Sequence, residues 1–170
     1  MAQAQDATTT PPPTPPNYDA MTLGPLYRAQ EVSVDMFGAG TIGEHTLEHL
    51  SGNRLEHRGE GGGGVGLDYF FCRYLGVDAE TFTMGDEPFI YSASGNLILR
   101  FPIAETGLAP YIFGGGGYQF DYARQDFGQA GVGVEFRFTH NIGLFADTRY
   151  VMADQTENYA EGRAGLRITF

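Results

Sequence analysis

From Glu31 to Phe170 the chain alternates apolar and polar residues with a period of two, over and over. A two-residue period puts successive side chains on opposite faces of an extended strand and is incompatible with the 3.6-residue stripe of an amphipathic helix. Eight stretches carry it: "EVSVDMFG", "GVGLDYFFCRY", "YLGVDAETFT", "NLILRFPI", "PYIFGGGGYQF", "QAGVGVEFRF", "IGLFADTRYVM" and "GRAGLRITF". In the first, Val32, Val34 and Met36 oppose Ser33, Asp35 and Phe37; in the last, Ala164, Leu166, Ile168 and Phe170 oppose Arg163, Gly165, Arg167 and Thr169. Each strand therefore has one apolar face and one mixed polar face.

The connections alternate in length. The breaks near 73–75, 103–109 and 139–141 are tight, while those near 41–63, 84–94, 121–127 and 153–159 are longer and more polar. Tight turns at one end and long loops at the other describe an antiparallel up-and-down barrel of eight strands. Strands of about ten residues also have the reach to cross a bilayer at a tilt. The expected fold is thus all-β, an eight-stranded antiparallel up-and-down transmembrane β-barrel over 31–170. Residues 1–30, with "TTTPPPTPPNYDA", read as a proline-rich flexible tether, because proline fixes φ and removes a hydrogen-bond donor.

Periodicity alone does not say which face points inward. A soluble barrel of the lipocalin kind hides the apolar face, and a membrane barrel turns it to lipid. Residue chemistry favours the membrane. The mixed face carries Asp35, Asp68, Asp78, Glu80, Glu135 and Asp147 against Arg100, Arg137, Arg149, Arg163 and Arg167, nearly balanced in sign. All 10 basic residues of the chain are Arg. Arginine forms planar, permanently charged, bidentate pairs and suits a confined ion-pair network. The same face holds Gly66, Gly76, Gly131, Gly133, Gly143 and Gly165, as a narrow lumen crowded by long arginine side chains would need. Cys72 falls on this face by alternation and is expected as a buried, inert thiol.

Residues 31–170, above all "VEFRFTHNIGLFADTRYVM" at 134–152 and the terminal "GRAGLRITF" at 162–170, resemble the small outer-membrane barrels related to the OmpA transmembrane domain, OmpX and the opacity-type proteins. The resemblance implies a bacterial outer-membrane location with both termini in the periplasm. It implies that Leu166, Ile168 and Phe170 form the terminal signal read by the barrel-assembly machinery. No OmpA-type peptidoglycan-binding domain follows Phe170, so wall anchoring by that route is not expected. Ala2-Gln3-Ala4 has the A-x-A form of a secretory cleavage site, as if a signal had been removed.

Charge narrows the partners. A net charge of −11 argues against nucleic acid, whose phosphates need a basic footprint, and against a polybasic lipid contact. The long connections are acidic: Glu44, Glu48, Glu56 and Glu60, then Asp86 and Glu87, then Asp121 and Asp126, then Asp154 and Glu157. Such a rim repels anionic surfaces and could attract divalent cations or a basic protein outside the cell. The lipid of the outer membrane is the partner the fold requires.

Catalysis finds little support. His45-Thr46-Leu47-Glu48-His49 matches H-x-x-E-H, the pattern of inverted zinc proteases. That chemistry needs a rigid helix, a third ligand and a cleft, and here the pentapeptide lies in a glycine-flanked loop. A helical turn would put His45 and His49 on one face, able to collect an adventitious metal ion. The single cysteine excludes an intrachain disulfide and a cysteine-based zinc site. The runs at 59–66 and 114–117 lack the Gly-Lys-Ser/Thr of a phosphate loop. His140 has no serine beside it to activate. The expectation is a non-enzymatic barrel with no cofactor and no metal, its lumen filled by side chains, in a structural and surface-presenting role. A narrow channel for ions or small solutes is the alternative, and a soluble lipocalin-like ligand-binding barrel the less favoured one.

Overall fold

The structure is a computed structural model that describes residues 26–42, 45–47, 55–57, 61–84, 92–103, 106–120, 124–154 and 158–170. Ten strands follow one another: β1 (Glu31–Ile42), β2 (His45–Leu47), β3 (Leu55–His57), β4 (Gly61–Phe70), β5 (Leu75–Met84), β6 (Ser92–Arg100), β7 (Leu108–Gln119), β8 (Gln125–Arg137), β9 (Ile142–Ala153) and β10 (Tyr159–Thr169). Eight of them close into an antiparallel barrel in the order β1-β10-β9-β8-β7-β6-β5-β4. Closure is made by β1, which pairs with β4 on one side (Val32 opposite Tyr69) and with β10 on the other (Ser33 opposite Thr169). Closing the sheet leaves no edge strand, so every barrel strand finds backbone partners on both sides.

The tight connections at 71–74, 101–107 and 138–141 share one end of the barrel with the start of β1 and the end of β10. Phe71 N donates to Leu75 O at 2.9 Å and Phe138 N to Ile142 O at 3.0 Å. Gly107 has φ +69°, and a Cβ there would stand 2.6 Å from Arg137 O, so this turn requires glycine. The strands extend further toward the long-loop end than the sequence pattern suggests. β8 starts at Gln125 and β10 at Tyr159.

Alternation fixes the two faces throughout. Val32, Val34, Met36, Leu67, Leu97, Val132 and Leu144 point outward and are exposed, while Ser33, Asp35, Asp68, Glu135 and Arg167 point inward and are buried. Among the described strand residues that face outward, the one charge is Asp126, beside Tyr118 at the long-loop end. Outward aromatics gather toward the ends. Tyr69 and Phe71 meet edge-to-face at 5.1 Å, as do Phe136 and Phe138 at 4.9 Å, near the short turns. Tyr118 and Phe120 do so at 5.3 Å near the loops. An uncharged band between aromatic girdles is the outer surface of a lipid-facing barrel.

The lumen glycines serve rings more than arginines. Phe70 lies directly opposite Gly76, Tyr111 opposite Gly133 and Phe113 opposite Gly131. A Cβ on Gly76 would meet the Phe70 ring at 2.7 Å, and one on Gly131 or Gly133 would collide with Phe113 or Tyr111. These aromatics lie flat over bare backbone, and the rings in turn carry the guanidiniums. Among the lumen glycines, Gly143 is the one whose Cβ would press on an arginine side chain, the Arg137 Cγ at 3.2 Å.

Two expectations change here. Cys72 is exposed, because the chain has left β4 at Phe70 and turns through 71–74, so alternation no longer applies to it. Within residues 26–30 the chain is seated on the barrel through Tyr27, which is 4% exposed, while Arg28, Ala29 and Gln30 are exposed. The rest of the proline-rich segment lies outside the described residues.

Candidate functional site

The lumen is the one place where the described residues gather charged side chains, and it is organised in two clusters with a ring layer between them. The cluster near the short turns is built on Glu31 at the start of β1. Glu31 Oε1 accepts from Arg100 Nη2 at 2.6 Å and Arg137 Nη2 at 2.7 Å, and its Oε2 accepts from Arg137 Nη1 at 2.9 Å. Glu135 accepts from Arg137 Nε at 2.5 Å, Arg167 Nη1 at 2.9 Å and Arg100 Nη1 at 3.4 Å. Arg167 then forks onto Asp35, Nε to Oδ1 at 2.8 Å and Nη2 to Oδ2 at 2.6 Å. Asp68 Oδ2 stands 2.5 Å from Arg167 Nη2, yet at an angle that makes no hydrogen bond. That contact is a Coulombic one.

The second cluster lies toward the long loops. Glu80 takes a guanidinium N–H from both Arg149 and Arg163, and the Ser94 hydroxyl donates to it at 2.9 Å. Arg163 forks onto Asp147 at 2.9 and 2.8 Å, and Tyr111 Oη donates to Asp147 Oδ2 at 2.8 Å. Gln129 ties the amides in: its Oε1 accepts from Arg149 at 2.9 Å and its Nε2 donates to Asn96 Oδ1 at 2.9 Å. Asn96 Nδ2 donates to Asp78 at 2.8 Å. Rings separate the levels. Phe145 lies between a guanidinium of each cluster, Arg167 Cζ at 5.2 Å and Arg163 Cζ at 5.7 Å from its centroid, and Arg163 Cζ also lies 4.6 Å over Phe37. Phe37 itself meets Phe82 and Phe145.

All eleven charged residues singled out by the sequence point into this lumen. Ten of them meet through ion pairs: Asp35, Asp68, Glu80, Arg100, Glu135, Arg137, Asp147, Arg149, Arg163 and Arg167. Asp78 joins through the Asn96 amide instead. Two acids were missed, Glu31 and Glu161. Both continue the two-residue phase of their strands: Glu31 is the first residue of "EVSVDMFG", in phase with Ser33 and Asp35, and Glu161 lies one residue before "GRAGLRITF", in phase with Arg163. Tyr27 had no such signal, since it precedes the first strand.

Charged side chains this deeply buried are retained only when paired and hydrogen-bonded. Among the described residues the lumen has eight carboxylates against five guanidiniums. The bidentate geometry lets each guanidinium serve two or three acids. A cavity of about 20 Å³ remains at the long-loop side, lined in part by Glu80, Gln129, Arg149 and Glu161. That volume holds about one water molecule. It is too small for an organic substrate.

The other sequence candidates fall elsewhere. His45 lies in β2, which pairs with β3 so that His45 is opposite His57; the described part of the pentapeptide, His45–Leu47, is strand. His49 and Glu48 lie outside the described residues, as do Glu44, Glu60, Asp86, Glu87, Asp121 and Glu157. No cluster of three metal-ligating side chains occurs among the described residues. His140 sits in the 138–141 turn. Leu166 and Ile168 occupy the outward face of β10, and Phe170 follows, 70% exposed, its N–H donating to Val32 O at 2.9 Å.

No protein-family model matches the chain, and no curated protein is significantly similar to it. Solved structures do resemble it. The N-terminal β-barrel domain of Pseudomonas aeruginosa OprF superposes with a TM-score of 0.59 at 18% identity, covering 84% of this chain and 99% of that one. Ail, the attachment invasion locus protein of Yersinia pestis, gives 0.56 at 15% identity over 84% and 99% of the two chains. Neisserial surface protein A gives 0.54 at 18% identity over 82% and 96%. Eight closed antiparallel strands and these likenesses agree: the chain has the fold of the small eight-stranded outer-membrane barrels.

Proposed function

We propose that this protein is a non-enzymatic integral barrel of the bacterial outer membrane that serves the envelope as a structural element and presents its long loops to the outside. The observation that carries the reading is the inversion of its two faces. Five arginines and their carboxylates are buried inside, and the outward face holds no charge until Asp126. In water that arrangement exposes Val, Leu, Ile and Phe on every strand, far beyond what a soluble monomer tolerates. In lipid it is the stable one.

Short turns and both ends of the barrel chain would face the periplasm, and the long acidic loops the medium. The packed clusters and the small cavity support a lumen closed by side chains rather than a conducting pore. Phe170, Ile168 and Leu166 would be the strand end that the assembly machinery engages. Acidic loops favour a basic protein or divalent cations as the external contact.

Fractionation of a Gram-negative host with surface proteolysis tests the proposal. A protease site inserted within 85–91 should be cut in intact cells, and one inserted within 71–74 only after the outer membrane is breached. Cutting at 71–74 from outside overturns the orientation. Recovery of the chain in the soluble fraction overturns the location.

A further inference from the structure

The short-turn mouth of the lumen is crossed by chain that is not part of any strand. β1 and β7 lie opposite each other in the barrel, four strands apart by either route. The residues that precede β1 reach across to the base of β7. Tyr27 Oη donates to Gly107 O at 2.7 Å, one residue before β7 begins. The Tyr27 ring is held by two guanidiniums, Arg100 Cζ at 4.6 Å and Arg137 Cζ at 4.4 Å from its centroid. Arg137 Nη1 also donates to Leu26 O at 2.8 Å, and Arg28 N donates to Glu31 Oε2 at 3.1 Å. Burial pushes the Tyr27 phenol above its ordinary pKa, so it stays protonated and donating.

The fold-back has a strained joint. Gln30, immediately before β1, has φ +56° and is the one non-glycine residue with positive φ among the described residues. The left-handed region is costly for a residue with a Cβ, and the cost persists only where surrounding contacts enforce it. Here the enforcing contacts are those of Leu26, Tyr27 and Arg28. Strain at the joint and adhesion at the seat therefore oppose each other.

We propose that residues 26–30 form a hinged strap, with Gln30 as its hinge and Tyr27 as its plug, that closes the short-turn mouth of the lumen. Releasing Tyr27 relaxes Gln30 to an extended backbone and uncovers Arg100, Arg137, Glu31 and Glu135 to water. Residues 1–25 continue from the strap, so a partner that holds that segment away from the barrel acts on the mouth through Tyr27. The strap rests on barrel geometry alone and stands or falls independently of the role assigned to the loops.

Thiol accessibility tests it. Ala109 on β7 faces the lumen opposite Glu135 and is 0% exposed. In a Cys72→Ser background, Ala109→Cys provides one buried thiol at the mouth. Labelling by a small methanethiosulfonate reagent, with the barrel folded in detergent, reports how often the mouth opens. Tyr27→Ala should accelerate labelling by about tenfold, since it removes the ring contacts and the hydrogen bond together. Gln30→Ile should also accelerate it, because a β-branched residue resists positive φ while leaving every mouth side chain in place. Circular dichroism and heat-modifiable mobility confirm that the barrel persists. If Tyr27→Ala does not fold, Gln30→Ile decides alone. Labelling at the parent rate in either folded variant overturns the strap.

Discussion

Arg167 on the last strand forks onto Asp35 on the first, with nitrogen–oxygen distances of 2.8 and 2.6 Å, so an ion pair bolts the seam at which the barrel closes. The same guanidinium contacts Glu135 and Asp68. Removing it strands the buried Asp35 and Asp68 and leaves Glu135 with Arg137 and Arg100 alone, which is the costly way to break a buried pair. Arg167→Met should therefore destabilise the barrel by about 3–5 kcal/mol. The double variant Arg167→Met/Asp35→Asn should cost less than the sum of the two single changes. Urea unfolding of the barrel in lipid vesicles, monitored by tyrosine fluorescence, measures both.

Charge reversal distinguishes lumen from loop. Arg149→Glu sets a fourth acid beside Glu80, Asp147 and Glu161. Glu56→Arg changes a residue of β3, outside the barrel. The unfolding midpoint should fall clearly for Arg149→Glu and stay within about 0.5 kcal/mol of the parent for Glu56→Arg. Equal shifts would contradict a role of the lumen network in stability.

Glycine under a ring makes a more local prediction. Gly133 lies opposite Tyr111, and a Cβ there would collide with that ring and come within 2.6 Å of the Asp147 Cβ. Gly133→Val should destabilise by about 1–3 kcal/mol through overpacking. Adding Tyr111→Ala should recover part of the loss, although Asp147 then forfeits the Tyr111 hydrogen bond. An unfolding series on the four variants reads the coupling.

The terminal residue should separate assembly from stability. Phe170 is exposed, and its backbone N–H holds Val32 O whatever the side chain. Phe170→Ala should leave the in vitro unfolding midpoint within about 0.5 kcal/mol of the parent. It should nonetheless lower the amount of barrel that reaches the outer membrane of living cells, as quantified by immunoblotting of membrane fractions. Unchanged levels would remove the assembly role from this end of β10.

Much of this was legible in the sequence because a strand has only two faces. Once Val32, Val34 and Met36 are read as one face, Ser33, Asp35 and Phe37 must form the other, and no tertiary information is needed. The inside–outside decision followed from arginine and glycine chemistry on that second face. What alternation did not give is cross-strand register. Nothing in "PYIFGGGG" or "GVGVEF" says that Tyr111 and Phe113 cover Gly133 and Gly131, so the glycines read as space for arginine when most of them make space for rings. Strand ends were equally hidden. Cys72 was carried inward by a pattern that stops at Phe70, and Glu161 was lost to a strand drawn too short. Tyr27 depends on a single residue at positive φ, which local sequence does not announce.

The central claim is that the apolar outward face belongs in lipid, and solubility in the absence of detergent tests it most directly. The purified chain should hold its β-sheet circular dichroism and run as a single species in detergent micelles or lipid vesicles. On dilution into plain buffer it should aggregate, because Leu97, Val132 and Leu144 and their neighbours are exposed on every side. A monodisperse chain in plain buffer with its β signal intact would contradict the account.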